Sequence, residues 1–134
     1  MNKTTILIVD DETPIREIIA CFLARRWRKR TLETTEVEVL NLEGAKSGKE
    51  AISLISNSKS IPNLVITDNE MPEMSGVELI DWIKENYPQI PVILMSGGTE
   101  PPNHQADVFL KKPPILKNLI EIIEKLLKEA RLAR

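Results

Sequence analysis

A single cysteine in 134 residues, Cys21, excludes an internal disulfide and suits a reducing compartment. It falls among Ile18, Ile19, Phe22 and Leu23, where a small buried hydrophobe is expected rather than a reactive thiol. Long apolar runs are missing as well. Nothing approaches the roughly 20 residues of a membrane span, and the amino terminus lacks a signal-peptide pattern, so a soluble cytoplasmic protein is expected. Neither sign of charge dominates: 18 Lys and Arg face 20 Asp and Glu, and the formal net charge of −2 gives no general pull toward nucleic acid or membrane. Repeats and low-complexity tracts are absent, and the length supports one core rather than two. Residues 1–134 therefore read as one domain.

What the chain does contain is a series of short apolar runs, each ending at chemistry. Ile6-Leu7-Ile8-Val9 leads to Asp10, Asp11 and Glu12, and Leu64-Val65-Ile66-Thr67 to Asp68, Asn69, Glu70, Met71 and Pro72. Val92-Ile93-Leu94-Met95 ends at Ser96, and Val108-Phe109-Leu110 leads to Lys111, Lys112 and Pro113. Runs this short and this apolar read as buried parallel strands. Residues 37–42 alternate more weakly, through Val37, Val39 and Leu42, and suggest an edge strand.

Helical stretches separate the runs. Thr13 is expected to cap a helix with Pro14 at its first position and Ile15, Ile18, Ile19, Phe22 and Leu23 at helical spacing. Ser47-Gly48-Lys49-Glu50 and Ser75-Gly76-Val77-Glu78 each read as a capping box. Leu116, Leu119, Ile120, Ile123, Leu126 and Leu127 mark a long final helix. Five strands alternating with helices predict an α/β, doubly wound parallel sheet with right-handed crossovers.

Ligands of such sheets bind outside the carboxyl ends of the strands. Asp10, Asp11 and Asp68 converge there, and three close carboxylates repel one another. A hard cation removes that conflict, and Mg²⁺ suits it because it takes one or two carboxylates and keeps positions for water and phosphate. A nucleotide-phosphate loop is the obvious rival, but it needs glycine or hydroxyl residues offering amides, and Asp10-Asp11-Glu12 would repel the phosphate. Lys112 places a cation opposite the acids, able to pair with a phosphoryl group, and Ser96 adds a hydroxyl that can bond a phosphoryl oxygen.

With these residues in this order, the chain resembles the receiver domain of two-component response regulators over essentially its whole length. The match rests on Asp10-Asp11, Asp68 with Met71-Pro72, Ser96, and Lys112-Pro113. The resemblance implies a flavodoxin-like five-stranded sheet of order 2-1-3-4-5. It implies Asp68 as phosphoacceptor, and Asp10, Asp11, Asp68 and the backbone carbonyl of Glu70 around Mg²⁺. Ser96 and Phe109 would be the switch residues and Lys112 the phosphoryl-binding lysine. The phosphoryl donor would be a histidine kinase or a histidine phosphotransfer protein. Signalling would run through phosphorylation-dependent contact with a downstream protein, with no enzyme activity beyond the domain's own phosphorylation and dephosphorylation.

Two departures from the family pattern stand out. Ser96 to Phe109 is short and holds Gly97, Gly98, Pro101 and Pro102, so the fourth helix is expected to be shortened or absent. Asp11 to Ala51 is long, with extra residues around Arg25–Glu36. A sheet missing one helix should leave strands four and five thinly covered beside Trp82 and Tyr87. Contact with a partner or a second copy is expected there, through residues 97–108. Arg25, Arg26, Arg28, Lys29 and Arg30 read as a solvated helix end paired with Glu33, Glu36 and Glu38, not as a nucleic-acid patch. His104 reads as an exposed loop residue. Two other classes stay open: a phosphorylation-independent interaction module, and a phosphohydrolase with Glu70 as its general acid.

Overall fold

The computed structural model describes residues 2–34, 38–57, 59 and 61–133. Strands β1 (Asn2–Val9), β2 (Glu38–Ala45), β3 (Leu64–Asp68), β4 (Val92–Ser96) and β5 (Val108–Lys111) form one parallel sheet in the order β2-β1-β3-β4-β5. Helices α1 (Thr13–Glu33), α2 (Gly48–Asn57), α3 (Gly76–Asn86) and α4 (Leu116–Leu132) complete it. The doubly wound, flavodoxin-like expectation holds, including the missing helix between β4 and β5.

Apolar runs become central strands here because both faces of the sheet are covered. Alternate residues point to opposite layers. Ile6, Ile8, Ile66, Ile93 and Met95 meet α1 and α4 through Ile19, Leu23, Trp27, Leu119 and Ile123. Leu7, Val9, Val65 and Leu94 meet α2 and α3 through Ala51, Ile55, Leu79, Ile80 and Ile83. On edge strand β2 the expected face is corrected. Leu40 and Leu42 pack inward while Val39 is exposed, because residues three apart cannot share a face of a strand. Val37 and Glu36 lie outside the described residues.

Helix starts follow local hydrogen bonding. Ser75 forms the full capping box, its hydroxyl accepting from Glu78 N at 3.2 Å while Ser75 N donates to Glu78 Oε1 at 3.1 Å. Ser47 Oγ accepts from Glu50 N at 3.1 Å. Thr13 does not cap α1. Its hydroxyl accepts from the Arg16 guanidinium instead, and Glu12 occupies the cap position.

The extra residues lengthen α1 to 21. Its buried row is Ile19, Leu23 and Trp27, spaced by four. Ile18 and Phe22 lie about 100° round the helix and Cys21 about twice that, so all three are exposed, which corrects the buried placement expected for Cys21. The basic run also finds partners other than those expected. Arg26 pairs with Glu124 of α4, Arg30 lies over the Trp27 ring, and Glu38 pairs with Arg131.

Residues 97–107 fold back over the sheet. His104 stacks near Phe109, accepts from Ala106 N at Nδ1, and so presents Nε2–H to Glu100 Oε2 at 2.9 Å. Gln105 donates to Asp81, and Asp107 accepts from both Lys84 Nζ and Val92 N. Asn103, with φ of 57°, takes the left-handed turn that asparagine tolerates. His104 is thus a partly buried staple, not an exposed loop residue. The bare patch expected beside Trp82 is reduced, since Trp82, Tyr87, Val108, Phe109 and Leu110 stay half-buried. β4 is buried along its length, and the exposed large apolar residues among those described lie elsewhere, chiefly on α1 and at Ile115.

Candidate functional site

The carboxyl ends of β1, β3, β4 and β5 share one edge of the sheet. Register sets Asp68 beside Met95 and Ser96 beside Lys111, so Asp10, Asp68, Ser96 and Lys112 crowd the end of the central strands. Asp10 is fully buried, Asp68 and Ser96 are 2% exposed, and Asp11 is open to solvent. One oxygen from each of Asp10, Asp11 and Asp68 lies within 4.8 Å of the other two.

The three carboxylates are not equivalent. Asp10 Oδ1 accepts from Glu12 N at 2.9 Å and Oδ2 from Lys112 Nζ at 2.9 Å, so both of its oxygens are engaged. Asp68 Oδ1 lies 3.2 Å from Lys112 Nζ, close enough for ion pairing, yet it is buried without a well-formed hydrogen bond. Burial first, and then the charge of Asp10, push the Asp68 carboxyl up to about 6 despite Lys112. Burial alone would push the Lys112 ammonium down, but its bond to Asp10 and the charges of Asp10 and Asp68 carry it above its usual range. Three acids facing one lysine, with an orphaned buried oxygen among them, fit a hard divalent cation held by oxygen ligands.

Two features hold the β3–α3 connection. Asn69 Oδ1 accepts from Val77 N, and Gly76 N donates to Asn69 O. A Cβ on Gly76 would come within 2.3 Å of the Asp68 carbonyl oxygen, so only glycine lets α3 approach this closely. The other expected site residue, Phe109, is partly buried against the α3 side of the sheet, under the His104 ring.

One contact was not legible in the sequence. The Glu70 carboxylate accepts from Ser96 Oγ, at 2.9 Å to Oε1 and 2.8 Å to Oε2, and from Gly97 N at 2.9 Å. Partial burial would raise this carboxyl, but the bonds from Ser96 and Gly97 bring it below its usual range. A carboxyl held ionised is unsuited to general-acid work. No spacing rule announces the contact, since 26 residues separate Glu70 from Ser96.

A groove of about 450 Å³ adjoins the site through Lys112 and is otherwise lined by Ile15, Ile18, Ile19, Pro113, Pro114 and Leu116. No helix among the described residues is long and apolar enough to cross a membrane.

Comparison with known proteins agrees with this fold. Among curated proteins, the chain is 38% identical over 100 residues to the protein-glutamate methylesterase/protein-glutamine glutaminase of Trichodesmium erythraeum, covering 75% of this chain and 25% of that one. It is 30% identical over 129 residues to the response regulator protein PilR of Pseudomonas aeruginosa, covering 92% and 26%. The chain thus spans about a quarter of the length of each of these relatives. Of two-component response regulator ORR11 of Oryza sativa it spans 70%, at 34% identity and with 81% of this chain covered. Among solved structures, a CheY-like response regulator receiver domain protein from Methanospirillum hungatei superposes with a TM-score of 0.83 at 25% identity, covering 99% of this chain and all of that one. The pattern described as response regulator receiver domain matches residues 6–124, and the chain belongs to that family.

Proposed function

We propose that this chain is the phosphoacceptor of a two-component or phosphorelay system. A histidine kinase or histidine phosphotransfer protein delivers the phosphoryl group to Asp68. The observation that carries this reading is the buried Asp68 Oδ1, poised beside Lys112 but without a full hydrogen bond. In the transfer, an Asp68 carboxylate oxygen bonds to phosphorus as the P–N bond to the donor imidazole breaks, and the electron pair returns to the ring nitrogen. Lys112 pairs with the transferred group, and the Ser96 hydroxyl donates to one of its oxygens. Asp10, Asp11, Asp68 and the main-chain carbonyl of Glu70 would hold Mg²⁺, which would offset charge on the phosphoryl oxygens. Ser96 and Phe109 act as the switch.

The groove along α1 suits the donor's docking surface, because a protein presenting a histidine to Asp68 must cover the rim that Lys112 and Pro113 share. The phosphorylated state then signals by contact with a downstream protein in the cytoplasm. No catalysis is assigned beyond the domain's own phosphorylation and dephosphorylation. A phosphorylation-independent module would have no use for so costly a buried charge cluster.

Intact mass after incubation with acetyl phosphate and Mg²⁺ tests the reading. Wild type should gain one phosphoryl group and Asp68→Ala none. Equal gain by both would overturn it.

A further inference from the structure

Glu70 holds the two donors that flank the acceptor. Ser96 carries the hydroxyl and Gly97 the next main-chain amide, at the end of the strand beside β3, and both point at one carboxylate. Gly98 N in turn donates to Ser96 Oγ at 3.1 Å, which fixes the hydroxyl's lone pairs and leaves its proton for Glu70. An anion with two oxygens thus sits where one oxygen of a phosphoryl group on Asp68 would find its donors. The two anions cannot share the donors, since like charges at such range repel. Glu70 itself is exposed, so its side chain is free to swing outward.

We infer that the Glu70 carboxylate is an internal stand-in for the phosphoryl group, latching Ser96 and Gly97 in the unphosphorylated protein and expelled when Asp68 is phosphorylated. This deepens the phosphoacceptor reading and rests on it. Two consequences follow from the same contact. Expulsion costs the charge-assisted hydrogen bonds from Ser96 and Gly97, so the latch slows phosphorylation. Expulsion also cuts the tie between the β3–α3 connection, which carries Glu70, and residues 97–107, which begin at Gly97. The segment that replaces a helix in this chain is thereby linked to the state of Asp68 through one side chain.

The reaction with acetyl phosphate makes the latch measurable. An Asp68 carboxylate oxygen bonds to phosphorus, the bond from phosphorus to the acetate oxygen breaks, and acetate leaves with the electron pair. Glu70→Ala should gain the phosphoryl mass on the order of tenfold faster than wild type, since hydrogen bonds to a charged acceptor no longer have to break. Glu70→Gln, which keeps the shape without the charge, should fall between the two. Hydrogen exchange of metal-free, unphosphorylated protein supplies a readout independent of phosphorylation. There the Gly97 amide should exchange faster in Glu70→Ala than in wild type. Equal rates of phosphorylation in wild type and both variants, or an unchanged Gly97 amide, would overturn the latch while leaving Asp68 as acceptor. Absence of any phosphoryl gain in wild type would overturn both readings.

Discussion

Lys112 Nζ stands 2.9 Å from Asp10 Oδ2, a contact that joins the end of the first strand to the end of the last across 102 residues of sequence. Asp10 is fully buried and Lys112 nearly so, and the same ammonium lies 3.2 Å from Asp68. One cation therefore balances the inner acids of the site, and its loss should be felt by both fold and function.

Lys112→Ala should still unfold cooperatively but lose about 1–3 kcal/mol in urea denaturation at neutral pH, because Asp10 keeps a buried charge without its counter-ion. Added Mg²⁺ should restore part of the loss. Phosphorylation of this variant should produce no change in partner affinity. Normal signalling by Lys112→Ala would remove the lysine from the mechanism.

Stability should depend on pH through Asp68. Its folded pKa, about 6, lies above the ordinary value of 3.8, so the native state holds the proton more tightly than the unfolded chain. Stability is therefore lost as pH rises between those two values, and stays lower above them. Asp68→Asn should be more stable than wild type near neutral pH by roughly 1–2 kcal/mol, and the gain should vanish below about pH 4. Urea midpoints of both proteins across this range decide the matter. A constant difference would contradict the assignment.

Asp11 is the exposed member of the acid trio, brought near Asp10 and Asp68 at the strand ends. Asp11→Ala should weaken Mg²⁺ binding by at least about tenfold, equivalent to about 1.4 kcal/mol, while leaving the metal-free melting temperature unchanged or higher. Calorimetric titration giving equal affinities would sink the role of Asp11.

His104→Ala should cost about 1 kcal/mol and speed hydrogen exchange at Ala106, since the imidazole both accepts from that amide and lies against Phe109. Exchange unchanged across residues 99–107 would show that the segment is held without its staple.

The order of elements and the placement of the acids at strand ends were readable because central parallel strands are apolar on both faces and end abruptly at the ligand edge. The loss of the helix after β4 was readable too, from Pro101, Pro102 and the shortness of the interval. Its consequence was not. An exposed patch was expected, but His104, Gln105 and Asp107 fasten the segment onto α3 and the strands through bonds that no periodicity encodes. Cys21 and Phe22 misled because an apolar run on a helix covers more of the circumference than the sheet can bury. Glu70 was visible as an acid beside Asp68, while its hold on Ser96 needed the strands brought side by side.

Replacing a helix by side-chain tethers changes how this region can evolve. A helix forms cooperatively, so a substitution in its middle is felt along several turns. In residues 97–107 the Glu100–His104, Gln105–Asp81 and Asp107–Lys84 contacts are separate bonds, each ending on its own partner. The first two can be retuned one at a time with the sheet beneath undisturbed, whereas Asp107 also accepts from Val92 N of β4. The stretch beside the switch is thus a set of independent adjustments, open to stepwise divergence where a packed helix would demand concerted change.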